Sequence, residues 1–145
     1  MMVTAESLTG PVLVTVAYLF LWYGLLVGLQ RRTKYRLQAE YLAEGKEFDR
    51  YFGQDEQMLA ADRAVGNTHE QMVPFLVTLW LTALFVSTTF ATLAGSLYVL
   101  LRAGYPLLLG KRISRMQPKR VYLVTVPCYL IILSMLVSLL WQALT

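Results

Sequence analysis

The 145-residue sequence has few of the groups from which metal and nucleotide sites are built. It contains one cysteine, Cys128, and one histidine, His69, and it has no glycine-rich phosphate loop. A single cysteine excludes an intrachain disulfide. One cysteine and one histidine leave only carboxylates as further ligands, so we expect no zinc, haem or other metal site. Cys128 lies in an apolar run, where we expect a buried small hydrophobic residue.

Charged residues are also scarce, at 15% of the sequence, against about 25% in soluble domains. Three runs contain none: Ser7–Gln30, Gln71–Leu101 and Val121–Thr145. Because about 20 apolar residues cross a hydrocarbon core as a helix, the sequence predicts a multi-pass integral membrane protein. It excludes a soluble enzyme with one buried core. The net charge of +4 comes from local clusters, so we expect no nucleic-acid partner.

The charge-free runs predict an all-α membrane protein, a single four-transmembrane-helix bundle over residues 1–145. The second run is too long for one span, and the polar triplet Ser87-Thr88-Thr89 is the natural turn within it. The predicted helices cover residues 8–30, 55–86, 90–110 and 121–143, with loops at 31–54 and 111–120. We expect the first loop to be solvated, with a short helical piece at 37–48 as an alternative. Gly24 and Gly28 form a G-x-x-x-G pattern, which either permits close approach of another helix or reflects how common small residues are in membrane helices.

The positions of Lys and Arg predict the orientation of the bundle. They cluster after the first helix and between the third and fourth: Arg31, Arg32, Lys34 and Arg36, then Lys111, Arg112, Arg115, Lys119 and Arg120. The turn at 86–90 and both termini contain none. By the positive-inside rule both loops are expected on the cytoplasmic side, with the termini opposite. A bacterial inner membrane and an endomembrane both fit this pattern.

A polar stripe lies near the cytoplasmic end of the second predicted helix. Arg63, Asn67 and Glu70 are spaced i, i+4, i+7 and fall within roughly 60° of arc, so they share one helix face. Pro74 follows Glu70 by four residues. Because a proline has no N–H to donate to the carbonyl four residues earlier, we expect a kink there.

The predicted topology brings further polar groups to the depth of this stripe. Arg102 and Tyr105 end the third helix, and Arg31 and Arg32 end the first. Ionisable groups at membrane depth usually face a partner or a wet cavity. Two hypotheses follow: an interhelical ion network of Glu70 with Arg102 or Arg63, or a pocket for an anionic, peptide-like ligand that arginines grip through its carboxylates.

The segment from Arg63 to Phe75 resembles a known membrane family. Its pattern R-x-x-x-N-x-x-E followed by P-F is similar to the second-helix signature of the membrane-associated proteins in eicosanoid and glutathione metabolism (MAPEG). The following Thr78-Leu79-Trp80 is similar to the leukotriene-forming synthase branch. The resemblance implies a homotrimer that binds glutathione as co-substrate between neighbouring subunits and admits lipid-like substrates from the bilayer. It is densest over residues 63–115.

The resemblance also implies roles for individual residues. The glutathione-binding set would be Arg63, Asn67, Glu70, Arg31 or Arg32, Arg102 and Tyr105. An arginine in an R-x-x-P context stabilises the glutathione thiolate in catalytic members, and Arg115-Met-Gln-Pro118 fits that motif. Arg112 and Arg120 are rival thiolate partners. The implied activity is that of a glutathione transferase or peroxidase acting on hydrophobic electrophiles.

Two departures from the synthase pattern motivate another function. Gln71 stands where that branch has a tyrosine after the glutamate, and Leu109 or Gly110 stands where a second tyrosine of helix three is expected. The alternative is a non-catalytic lipid-binding or scaffold protein of the same fold. A third hypothesis is a small proton-coupled exporter with Glu70 as proton carrier. Such exporters place the carboxylate in the first helix, which has none here.

Overall fold

The computed structural model describes residues 6–111 and 119–145, and these residues form four long helical rods. The elements are α1 (Thr9–Leu19), a π-helical segment (Phe20–Leu26), α2 (Val27–Ala43), α3 (Glu56–Glu70), α4 (Met72–Phe85), α5 (Thr88–Leu109) and α6 (Tyr122–Leu144). Short 3₁₀ turns precede α1 at Glu6–Leu8 and α6 at Lys119–Val121. The all-α expectation is therefore confirmed.

The first rod is longer than the sequence suggested. It runs without interruption from Thr9 to Ala43, so the expected end at Gln30, and with it a loop beginning at residue 31, is wrong. Charge marks where lipid contact ends, whereas a helix continues as long as its residues favour it and find a packing partner. Here Leu37 packs against Met58 and Ala61 of α3.

The second rod is broken at Gln71. Pro74 cannot donate to the carbonyl of Glu70, and the backbone N–H of Gln71 donates to the carbonyl of His69. Regular bonding resumes with the N–H of Phe75, which donates to the Gln71 carbonyl at 3.0 Å. The expected kink at Pro74 is thus a break between two helices.

Three helices in the described part of the chain are long and apolar enough to cross a membrane: Thr9–Ala43, Thr88–Leu109 and Tyr122–Leu144. The pieces of the broken rod have 15 and 14 residues, each shorter than the roughly 20 residues of one span. An integral membrane protein accounts for the three apolar helices.

An aromatic cluster joins the rods at the centre of the bundle. The rings of Phe75 and Tyr98 stack with centroids 3.9 Å apart, and Tyr18 lies 4.9 Å from Phe75. All three side chains are buried. They fix α1, α4 and α5 to one another. The turn between the last two of these is capped by Ser87, whose hydroxyl accepts from the N–H of Phe90.

Two glycines, different from those of the G-x-x-x-G pattern, bring α1 and α5 together. A Cβ atom at Gly95 would lie 2.8 Å from a methyl of Val14 and 2.7 Å from one of Leu79. One at Gly10 would overlap Thr92. At Gly28 it would meet nothing within 4 Å among the described atoms, and at Gly24 its nearest neighbours would be the ring of Phe20 one turn earlier. Close approach within the chain therefore depends on Gly10 and Gly95.

We predict that Gly95→Ala lowers the thermal unfolding midpoint of the detergent-solubilised protein, because overpacking of a close helix crossing costs about 1–3 kcal/mol. The matched control is Gly104→Ala on the same helix, where a new Cβ would lie 3.8 Å from Val124 in ordinary contact. Scanning fluorimetry of both variants checks this. Equal midpoints for the two would show that Gly95 is not needed for the α1–α5 approach.

Candidate functional site

The break in the second rod is occupied by a buried arginine from α5. Arg102 has no exposed surface, and its Nη2 donates to the backbone carbonyl of Asn67 at 2.6 Å. In a regular helix that carbonyl would accept from the N–H of Gln71, which instead donates to His69. Arg102 thus provides a donor at the point where the helix does not.

A second neighbouring helix also donates to this turn. The hydroxyl of Tyr18 in α1 donates to the backbone carbonyl of Thr68. Next to it, Trp22 of the π-helical segment stacks on His69 with ring centroids 5.2 Å apart. Sequence analysis did not identify these contacts. Its only available signal was the aromatic-rich run from Phe20 to Leu26, where a wide helical turn has no distinctive composition.

The arginine has unused hydrogen-bonding capacity. Among the described residues, Nε and Nη1 of Arg102 are buried without a partner, and so are the side-chain oxygens Oδ1 of Asn67 and Oε1 of Gln71. The ring of Tyr105 lies 5.1 Å from the guanidinium carbon. A buried cation is costly unless its charge and its donors are compensated. The guanidinium of Arg102 is therefore a buried cation that keeps two unused donors after its bond to the Asn67 carbonyl.

The ion-network hypothesis is not supported within residues 6–111 and 119–145. The ion pairs there are Arg36–Glu40, Lys46–Glu44 and Arg50–Asp62, and none involves Arg63, Glu70 or Arg102. The reason is orientation: Arg63 and Glu70 are exposed on the outside of α3, whereas Arg102 lies inside the bundle. The inner face of α3 is occupied by Ala60, Ala61, Ala64 and Thr68 instead.

The structure therefore brings together only part of the predicted set. Asn67, Arg102 and Tyr105 meet at the break. Arg31 and Arg32 are exposed on α2. Arg115 lies outside the described residues, as does its rival Arg112, while Arg120 is exposed at the start of the last helix.

A groove of about 670 Å³ opens between the ends of α2, α3 and α5. Its floor includes Ala60, Ala61 and Ala64, whose small side chains leave the space, and its rim includes the cations Arg32 and Lys111. This groove was not predicted from the sequence; the signal for it is the helical spacing of Ala60, Ala61 and Ala64. Of the predicted site residues, Arg32 lines the groove. Asn67, Arg102 and Tyr105, which meet at the break, do not line it.

We predict that Arg102→Met lowers the unfolding midpoint, since it leaves the Asn67 carbonyl without its charged donor, a bond worth about 1.5–3 kcal/mol. Arg102→Lys keeps a cation on a flexible stem and should lose less. Arg63→Met, on the exposed face, is the control and should be close to the parent. Coincident thermal transitions for all these proteins would rule out a stabilising role for the Arg102–Asn67 contact.

Comparison with known proteins supports the resemblance carried by the second rod. No curated protein and no solved structure matches the chain significantly. The profile of the MAPEG family matches residues 8–141, which covers the first three rods and the fourth up to residue 141. This protein therefore belongs to the MAPEG family, a membrane family of eicosanoid and glutathione metabolism.

Proposed function

We propose that the protein is a glutathione-dependent transferase or peroxidase that acts on hydrophobic electrophiles or lipid hydroperoxides dissolved in the membrane. The observation that carries the proposal is the buried guanidinium of Arg102, which has two unpartnered nitrogens and no carboxylate partner among the described residues. It lies in a member of a glutathione-related family. An anionic peptide would supply the acceptors that the helix bundle lacks.

Glutathione fits the chemistry of the predicted residues. It carries two carboxylates, one ammonium group, two amides and a thiol. Arg63, with Arg31 or Arg32, can bind carboxylates as bidentate donors, and the carboxylate of Glu70 can accept from the ammonium group. The side-chain oxygen of Asn67, unpartnered in the described part of the chain, can accept from an amide N–H.

A second subunit is part of the proposal. Arg63 and Glu70 are exposed on a rod that lies beside membrane-spanning helices, and charged groups facing lipid are costly. We propose a homotrimer in which a neighbouring subunit covers this face and encloses the glutathione. In this arrangement the broken second rod also crosses the membrane, which makes four spans in total. Both termini then lie on the non-cytoplasmic side.

The proposed chemistry begins with ionisation of the glutathione thiol. Free thiols have a pKa of about 8.5, and a nearby cation lowers it and increases the thiolate fraction. We assign this role to Arg115. In the transferase reaction the thiolate forms a carbon–sulfur bond with the electrophile and the leaving group departs with the electron pair. In the peroxidase reaction two glutathione molecules reduce one hydroperoxide to an alcohol and water, and they form one disulfide.

A non-catalytic lipid-binding member of the same fold is the second candidate. Leu109 and Gly110 both line the groove, and Leu109 is buried; one of the two stands where catalytic relatives are expected to have a tyrosine hydroxyl. Gln71 is buried as well. An apolar groove with a cationic rim suits an acyl chain with an anionic headgroup, and such binding needs no thiol.

We expect reduced glutathione to raise the unfolding midpoint of the detergent-solubilised trimer. Binding at a hundred times Kd stabilises a native state by about 2.7 kcal/mol. Glu70→Gln should weaken the response, because a neutral amide cannot form an ion pair with the ammonium group. A glutathione diamide, which has no carboxylates, should produce little shift. The proposal fails if the parent protein shows no shift, or if its mass in detergent is that of a monomer.

We expect Arg115→Ala to reduce both the thiolate absorbance of bound glutathione and the rate of conjugation with a model electrophile. Losing a two-unit depression of the thiol pKa corresponds to about 2.7 kcal/mol and to as much as about 100-fold less thiolate below neutral pH. Arg120→Ala tests the exposed rival thiolate partner five residues later, and it should leave both signals unchanged if Arg115 has this role. Glutathione binding without any thiolate signal or turnover in the parent protein would favour the lipid-binding alternative.

A further inference from the structure

The chain between α2 and α3 turns back towards the membrane. Helix α2 ends at Ala43, and with a rise of about 1.5 Å per residue its tip lies about 20 Å beyond Gln30, the last residue of the first charge-free run. Gly45 then adopts a φ of 67°, a left-handed conformation that favours glycine. The chain reverses there.

Asp62 of α3 fixes how far the returning segment comes back. Its carboxylate accepts two hydrogen bonds from the guanidinium of Arg50, both at 2.9 Å. It also accepts one from Nε2 of Gln30 at 2.7 Å. The guanidinium of Arg50 and the side-chain amide of Gln30 therefore lie at the same height along the bundle. Because the first charge-free run of the helix ends at Gln30, we take this height as that of the membrane–water interface.

A small apolar core supports the same return. Leu37 of α2 and Met58 of α3 are buried together, and Tyr41 and Phe48 pack against them. The hydroxyl of Tyr41 donates to the carboxylate of Asp55 at 3.0 Å. The segment is thus held against the two helices at Phe48 and at Asp55, in addition to the contact of Arg50 with Asp62.

Two aromatic side chains follow immediately after Arg50 and point away from the protein. Tyr51 is 85% exposed and Phe52 is 88% exposed. Their backbone N–H groups donate to the carboxylate of Asp49 at 3.0 and 2.9 Å. The bonds from Phe52 and Tyr51 lower the pKa of Asp49. The carboxylate is therefore charged at neutral pH and can accept both hydrogen bonds.

The turn that presents these side chains is tight. A Cβ atom at Gly53 would lie 2.2 Å from the backbone oxygen of Asp49, so glycine is required for the chain to pass so close. With the capping carboxylate on one side and this glycine on the other, the two aromatic residues occupy a defined position. We call Tyr51 and Phe52 the aromatic tip.

We propose that the aromatic tip is an interfacial membrane anchor, inserted among the lipid headgroups on the side where α2 leaves the bilayer. Tyrosine and other amphipathic aromatic residues prefer this zone of a membrane, and an exposed phenylalanine gains by leaving water for acyl chains. The partner is the lipid surface itself. The hydrogen bonds from Arg50 to Asp62 set the depth of the aromatic tip. The segment between α2 and α3 therefore lies along the membrane surface.

Spin labels test the depth of the tip. In a Cys128→Ala background, single labels are placed at Phe52→Cys, at Tyr51→Cys and, as the matched control, at Leu42→Cys. Leu42 is 76% exposed and lies at the far end of α2, just before the chain turns back. The proteins are reconstituted in phosphatidylcholine nanodiscs, and each label's collision rate with membrane-soluble oxygen and with a water-soluble nickel chelate is measured.

We expect the labels at positions 51 and 52 to collide more with oxygen than with the chelate, and the label at position 42 to show the reverse. Equal chelate access at all three positions would place the tip in water and overturn the proposal. Protection of the tip from both relaxants would also overturn it, because a second protein chain would then cover the tip. Neither result depends on glutathione or on catalytic activity.

Discussion

The break in the second rod at Gln71 is the constraint on which the rest of the bundle depends, because the N–H of Gln71 donates to His69 and no longer to the carbonyl of Asn67. Inside a membrane protein, carbonyls released from a helix cannot turn to bulk water and must find other donors. Two neighbouring helices supply them. Tyr18 donates to Thr68 from one side, and Arg102 donates to Asn67 from the other. The rods on both sides of the second one are thereby fixed in rotation and in height.

The same arrangement leaves a buried cation with unused hydrogen-bond donors. A neutral donor would have satisfied the Asn67 carbonyl equally well, yet an arginine brings a positive charge and additional donors to a place without solvent. Its surplus nitrogens face no acidic side chain in the described part of the chain. One side chain therefore both donates to the carbonyl at the broken helix and keeps further donors unused, which is the feature on which the proposed glutathione site rests.

Sequence reasoning succeeded where the signal was local. Charge-free runs predicted the helices, and the polar triplet Ser87-Thr88-Thr89 predicted the turn, where the Ser87 hydroxyl caps the following helix. The polar stripe was correctly placed on one face of α3, but its direction could not be predicted, because that depends on how well Ala60, Ala61 and Ala64 pack inside. The Arg102–Asn67 contact joins residues from two helices, and it depends on a crossing geometry that no single segment encodes. The end of the first rod was misjudged because lipid contact and helicity end at different residues.

The π-helical segment shifts the inner face of the first rod by one residue along the sequence. Residues on its inner face are spaced by three or four positions up to Leu21, and the next one is five residues later, at Leu26. One wide turn absorbs that extra residue, and it keeps Leu37 directed at α3 three turns further on. Deleting one residue in this segment would restore ordinary α-helical geometry without rotating the part of the rod that lies beyond Gln30. The two halves of this rod, before and after the wide turn, can therefore differ in register by one residue and still present their inner faces to the same neighbours.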